Sequence, residues 1–197
     1  MQHPTTVQPA VPSTTGWLKS YYYIRFGIAA AWVGLAFTAA KNMPQLAAIM
    51  LVAYPAWDAI ANLIDAQRSG GLRRNRSQML NVLVSSLTAV SVAIALGNSM
   101  NAVLDVFGVW AVLSGIFQLA TAVRRWKSYG AQWAMILSGA QSALAGFFFV
   151  TMAGGTEVLS IANVAPYAAF GAFYFLVSAI WLTVSDARRR AQPSMSC

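Results

Sequence analysis

All but one of the chain's thirteen Lys and Arg residues lie on the N-terminal flank or, as Arg25 does, just inside the first apolar segment, on every second connection between six such segments, or on the C-terminal tail; Lys41 alone breaks the pattern. The cytoplasmic side of a bilayer retains short basic loops, so this alternation fixes a topology. The apolar segments read as 21–40, 45–66, 78–96, 102–123, 131–153 and 160–184. Each is close to the roughly 20 residues that a helix needs to cross a membrane. Connections 41–44, 97–101 and 154–158 carry one basic residue among them and are expected to face outward. The other two hold Arg68, Arg73, Arg74 and Arg76, then Arg124, Arg125 and Lys127. Lys19 and Arg25 at the front, with Arg188 to Arg190 at the back, then put both termini in the cytoplasm.

Composition supports the same class. Hydrophobic residues are 58% and charged residues 9% of 197 positions, against roughly 45–50% and 25% in soluble domains. The expected fold is all-α: a disordered cytoplasmic tail over 1–18, a six-helix transmembrane domain over 19–187 and a basic cytoplasmic tail over 188–197. No charged side chain precedes Lys19, so the first segment reads as a retained span and not a cleaved signal. The net charge of +8 sits beside the spans without a basic-aromatic recognition segment, which points to the bilayer and anionic lipid headgroups as partners rather than nucleic acid. A homo-oligomer stays open.

Several chemistries lack their residues. The lone His3 lies in the loose tail, no H-E-x-x-H or phosphate-loop motif occurs, and the serines have no histidine base nearby. Lys19, Lys41 and Lys127 flank spans and are expected to be solvated, and Cys197 stands alone, outside a prenylation arrangement. The expectation is a non-enzymatic protein with no catalytic residue, cofactor or metal.

The second span is the most polar stretch at membrane depth. Asp58, Asn62 and Asp65 fall at i, i+4 and i+7 and share one helix face. Asp58 lies ten residues before Arg68, which places it about 15 Å inside a core roughly 30 Å thick. An acid there needs the bundle interior or a cation. Arg25 on the first span is the natural partner, reaching Asp58 or Asp65, or snorkelling to the interface instead. Asn81 and Ser85, with Ser86, are candidates to complete the network, and Pro55 removes a backbone donor just above. Two readings remain: polar glue that fixes helix register, or a protonatable site in a polar cavity.

Further residues carry packing or interface expectations. Gln118, Gln132, Gln141, Asn163 and Ser178 are isolated in apolar runs and read as interhelical hydrogen-bonding groups. Trp17, Tyr21, Tyr22, Tyr23, Trp126, Tyr129, Trp133 and Trp181 read as an interfacial aromatic belt. Gly139, Gly146 and Gly171 are expected close contacts between helices.

Three segments beginning at Asp58, Ser114 and Ser178 share a small-Ile step, and each has an Arg ten residues later, at Arg68, Arg124 and Arg188. Either the domain is three copies of a two-helix hairpin, or apolar helices drawn from few residue types match by chance. The stretch from Tyr54 to Asp58, the run from Asp65 to Arg68 followed by Gly70 and Gly71, and the run from Trp110 to Gln118 resemble the HdeD-like acid-resistance membrane proteins of bacteria. The resemblance implies a small six-helix inner-membrane protein of short repeated segments, with a link to acid stress and no catalytic motif. A small channel or transporter with a polar site around Asp58, and a scaffold acting through the basic loops, are the alternatives.

Overall fold

The computed structural model describes residues 14–125 and 132–191; Trp126, Lys127, Tyr129 and Cys197 lie outside them, as do the side chains of Arg124, Arg125, Gln132, Trp133, Arg189 and Arg190. Within that range the chain is helical: α1 (Thr14–Thr38), a 3-10 turn (Ala40–Asn42), α2 (Pro44–Arg68), α3 (Arg76–Ala95), α4 (Met100–Arg125), α5 (Gln132–Ala153) and α6 (Ile161–Ala191). No strand occurs among the described residues.

Helices α2 to α6 each contain a stretch long and apolar enough to cross a membrane, and only 17% to 39% of each stretch is buried inside the chain. The rest points outward, with Leu87, Ile94, Val109, Phe147 and Phe148 all more than half exposed. So much apolar surface on every helix suits lipid and not water, and the chain is a multi-pass membrane protein. Helix α1 is as long as α2 but carries Tyr21, Tyr22, Tyr23 and Arg25 in its first half, which lowers its apolar character.

Two expected boundaries shift. Helix α1 starts at Thr14, inside the stretch assigned to a disordered tail. Aromatic packing accounts for the extension: the Trp17 ring lies 6.1 Å from that of Tyr21 one turn on, and the Arg68 guanidinium sits 4.6 Å over the Trp17 ring. Helix α6 likewise runs to Ala191, so the basic tail from 188 begins as helix.

The helices that pack along their length are α4 with α5, α1 with α6, and α2 with α3. These are not the hairpins that a two-helix repeat suggests, since α1 with α2 and α5 with α6 scarcely touch backbone to backbone. Glycine explains the tightest pair. A Cβ at Gly115 would stand 2.5 Å from the Gly139 carbonyl oxygen, and one at Gly146 would stand 2.5 Å from that of Gly108. Only hydrogen fits at these two crossings. Gly139 and Gly146 are therefore close contacts as expected, whereas Gly171 meets only the Tyr54 hydroxyl at ordinary distance, 3.5 Å. At the turn after α2, Gly70 and Gly71 take φ of 95° and 90°, a left-handed conformation that lets the Gly71 amide donate back to Ala66 at 2.7 Å.

The bundle has two unlike halves. At the end opposite the basic connections, a continuous core joins Trp32 and Ala36 of α1, Leu51 of α2, Val92 of α3, Phe107 of α4, Phe149 of α5 and Val164 of α6. Toward the basic end this core stops.

Candidate functional site

Where the core stops, a partly open cavity of about 630 Å³ begins, and all six helices line it. Its lining extends to Leu18, Asp65 and Ser77, each within two turns of its helix's basic-end terminus. Its inner limit is aromatic. Tyr54, Trp110 and Tyr167 line the cavity and pack edge to face, with centroids 5.8 Å apart for Tyr54 and Trp110 and 6.1 Å apart for Trp110 and Tyr167. Behind them Trp32, Phe107 and Phe149 continue the cluster into the core. Trp32 Nε1–H donates to the Met50 carbonyl at 2.9 Å, tying α1 to α2.

Arg25 of α1 forms an ion pair with Asp58 of α2 across the gap between these two helices. The same carboxylate accepts Asn62 Nδ2 at 3.0 Å and the Ser85 hydroxyl at 2.8 Å. The network extends at both ends: Trp110 Nε1–H donates to Ser85 Oγ at 3.1 Å, and Arg25 Nη1 donates to Tyr21 Oη at 3.0 Å. The guanidinium also lies 4.2 Å over the ring of Phe175 on α6. One ion pair thus ties α1, α2, α3, α4 and α6 together around the cavity.

The sequence-predicted residues divide around this pair. Arg25, Asp58, Asn62 and Ser85 share the network; Asp65 stands outside it, accepting Gln78 Nε2 at 3.1 Å, and has no ion-pair partner among the described residues. Asn81 lines the same cavity. Ser86 faces away and is exposed. Gln118 bonds Ser138 of α5 at 3.2 Å and Gln141 accepts Tyr174 of α6 at 2.8 Å, the interhelical pairs expected of them. Asn163 serves differently, accepting the Ser160 amide at 2.8 Å at the start of α6. Lys19, expected to be solvated, pairs with Asp186 at 2.5 Å, closing α1 onto α6.

The aromatic belt needs the larger correction. Tyr21 is 8% exposed and, with Tyr22, lines the cavity, whereas Trp181 lines it too but stays 63% exposed, as a belt residue would. Tyr23 alone of the three consecutive tyrosines turns outward, with its hydroxyl 3.3 Å from Thr183 Oγ1. Tyr21 sits one turn before Arg25, and a side chain one turn away on a helix shares its face. That spacing was the available signal.

A second pattern runs through the returning helices. Asp58, Ser114 and Ser178 all line the cavity, and so do the residues one turn earlier, Tyr54, Trp110 and Tyr174, and one turn later, Asn62, Gln118 and Leu182. On the outgoing helices Asn81 stands as far ahead of Ser114 as Arg25 stands ahead of Asp58, and it too faces the cavity. These positions all face the cavity, yet among them only Arg25 and Asp58 are charged. Among the described residues no three His, Cys, Asp or Glu side chains converge as a metal site would require.

A family model described as "Short repeat of unknown function (DUF308)" matches residues 83–151, from within α3 through α4 and most of α5. That family of membrane proteins includes HdeD. The matched segment carries both glycine crossings, Ser85, Trp110 and Ser114, whereas Arg25, Asp58, Asn62 and Asp65 lie outside it. No curated protein and no solved structure shows significant similarity to the chain.

Proposed function

We propose that the chain is a bacterial inner-membrane protein of six spans, with α1 as the sixth and the basic end in the cytoplasm, and that its cavity is the solute site of a small carrier. The observation that carries this reading is the cavity itself: about 630 Å³, polar groups from every helix, and a paired Arg25 and Asp58 on its wall. Polar glue alone requires no hollow. A polar cluster that merely fixed register would be packed dry, because empty space beside buried polar groups forfeits both contacts and hydration. The aromatic floor of Tyr54, Trp110 and Tyr167 argues for a carrier open to one side rather than a continuous channel. Alternating basic connections favour the cytoplasm as that side.

Labelling of Ser114→Cys, in a chain whose Cys197 is replaced by Ser, tests this reading. A membrane-impermeant maleimide is expected to modify the new thiol in inside-out vesicles and to leave it untouched in right-side-out vesicles. Reaction from the opposite side, or no reaction from either, contradicts the proposal.

An acid- or membrane-stress setting is the second reading. It is supported by the HdeD-like resemblance and the family match over residues 83–151. A deletion strain that survives acid challenge as well as its parent removes that support. Under either reading the exposed Arg73, Arg74 and Arg76 are suited to anionic headgroups.

A further inference from the structure

We propose that the cavity binds a lipophilic ammonium, a protonated amine carried on an apolar body, with Asp65 and Gln78 as the headgroup site; this rests on the reading of the cavity as a solute site. Three observations lead there. Among the described residues, the charged side chains lining the cavity are Arg25, Asp58 and Asp65, and the first two neutralise one another. That leaves one carboxylate in excess within a protein whose net charge is +8. A cavity with this balance repels anions and attracts a single positive charge.

Hydrogen-bonding demand at Asp65 sharpens the ligand class. Gln78 gives its amide N–H to Asp65 at 3.1 Å, while its own Oε1 is buried and has no partner among the described residues. The pair therefore presents an unsatisfied acceptor, Gln78 Oε1, beside a carboxylate that no cation pairs among the described residues. An N–H-bearing ammonium satisfies both at once, and a quaternary ammonium does not.

The walls suit the rest of such a molecule. Arg25 already rests its positive charge 4.2 Å over the Phe175 ring, so this wall holds a cation within the protein itself. Tyr22 stacks on Phe175 with centroids 6.3 Å apart, and Tyr22, Trp57 and Trp181 add aromatic faces to the lining. Entry is available from the bilayer. Phe170, Val177 and Trp181 of α6 line the cavity yet are 54%, 38% and 63% exposed, and here α6 meets α5 through side chains such as Tyr174 on Gln141, with the two backbones held apart. An amphiphile already partitioned into the membrane meets that opening directly.

Titration calorimetry on the detergent-purified chain with phenylbutylamine, its neutral isostere phenylbutanol and the anionic phenylbutyrate tests the assignment. The amine is expected to bind saturably, the alcohol about tenfold more weakly and the acid not at all. Asp65→Asn should bring the amine down to the affinity of the alcohol without changing the alcohol, and Asp65→Glu should keep the preference. Equal binding of amine and alcohol to the unaltered chain overturns the proposal, as does an Asp65→Asn variant that is monodisperse and retains the preference. If no probe binds while Ser114→Cys is still labelled from the basic side, only the ammonium assignment falls. If that thiol is unreactive, the carrier reading falls with it.

Discussion

Val103, Leu104 and Phe107 of α4 are fully buried in a continuous apolar core, whereas Ser114 and Gln118, further along the same helix, line a cavity. The contrast repeats around the bundle. Leu51 of α2 is packed and Asp58 faces the hollow; Val164 of α6 is packed and Ser178 faces the hollow. Helix pairing explains how one set of helices does both. At the far end the 3-10 turn Ala40–Asn42 bridges α1 and α2, while toward the basic end those helices are joined across space by Arg25 and Asp58. Close packing at one end supplies the rigidity that allows the other to stay open, with the glycine crossings holding α4 against α5 in both halves.

The halves should therefore respond differently to substitution, and unfolding of the purified chain in detergent measures the difference. Phe107→Ala removes a ring from the dry core and is expected to cost about 4 kcal/mol, the middle of the range for buried aromatics. A cost near zero would mean that the far half is loosely packed. Gly115→Val forces a side chain where a Cβ would stand 2.5 Å from backbone, and the resulting separation of α4 from α5 should cost about 3 kcal/mol. Arg25→Ala leaves Asp58 on the cavity wall without its counter-charge and should cost about 2 kcal/mol, less than in a dry core because water reaches the hollow. The paired change Arg25→Gln with Asp58→Asn should recover most of that loss. Ser114→Leu fills empty space, so its cost should stay below about 0.5 kcal/mol, while it abolishes phenylbutylamine binding.

Much of this architecture is legible in the sequence, and the omissions have a common cause. The helix ends fall within a few residues of the apolar runs, except where Trp17 and the residues after Arg188 prolong α1 and α6. Depth was legible as well, since counting back from Arg68, Arg124 and Arg188 finds Asp58, Ser114 and Ser178 on one cavity. Rotation was not. A membrane helix that is apolar all round gives no face to read, so Tyr21 and Tyr22 pass for interfacial aromatics and Trp110 goes unnoticed as a floor. Gly108 and Gly115 were equally hidden, because a glycine in an apolar run shows a close approach only once its partner is known. Pairing of α1 with α6 depends on contacts such as Lys19 with Asp186, which are far apart in sequence and follow no local pattern.

A ladder of single cysteines along α4, at positions 103, 107, 114 and 118 in the Cys197→Ser chain, tests the division into a packed and a hollow half most directly. The rate of reaction with a small water-soluble maleimide should be high at 114 and 118 and indistinguishable from background at 103 and 107. Uniform reactivity along the helix, or reaction at 103 without reaction at 114, would contradict it.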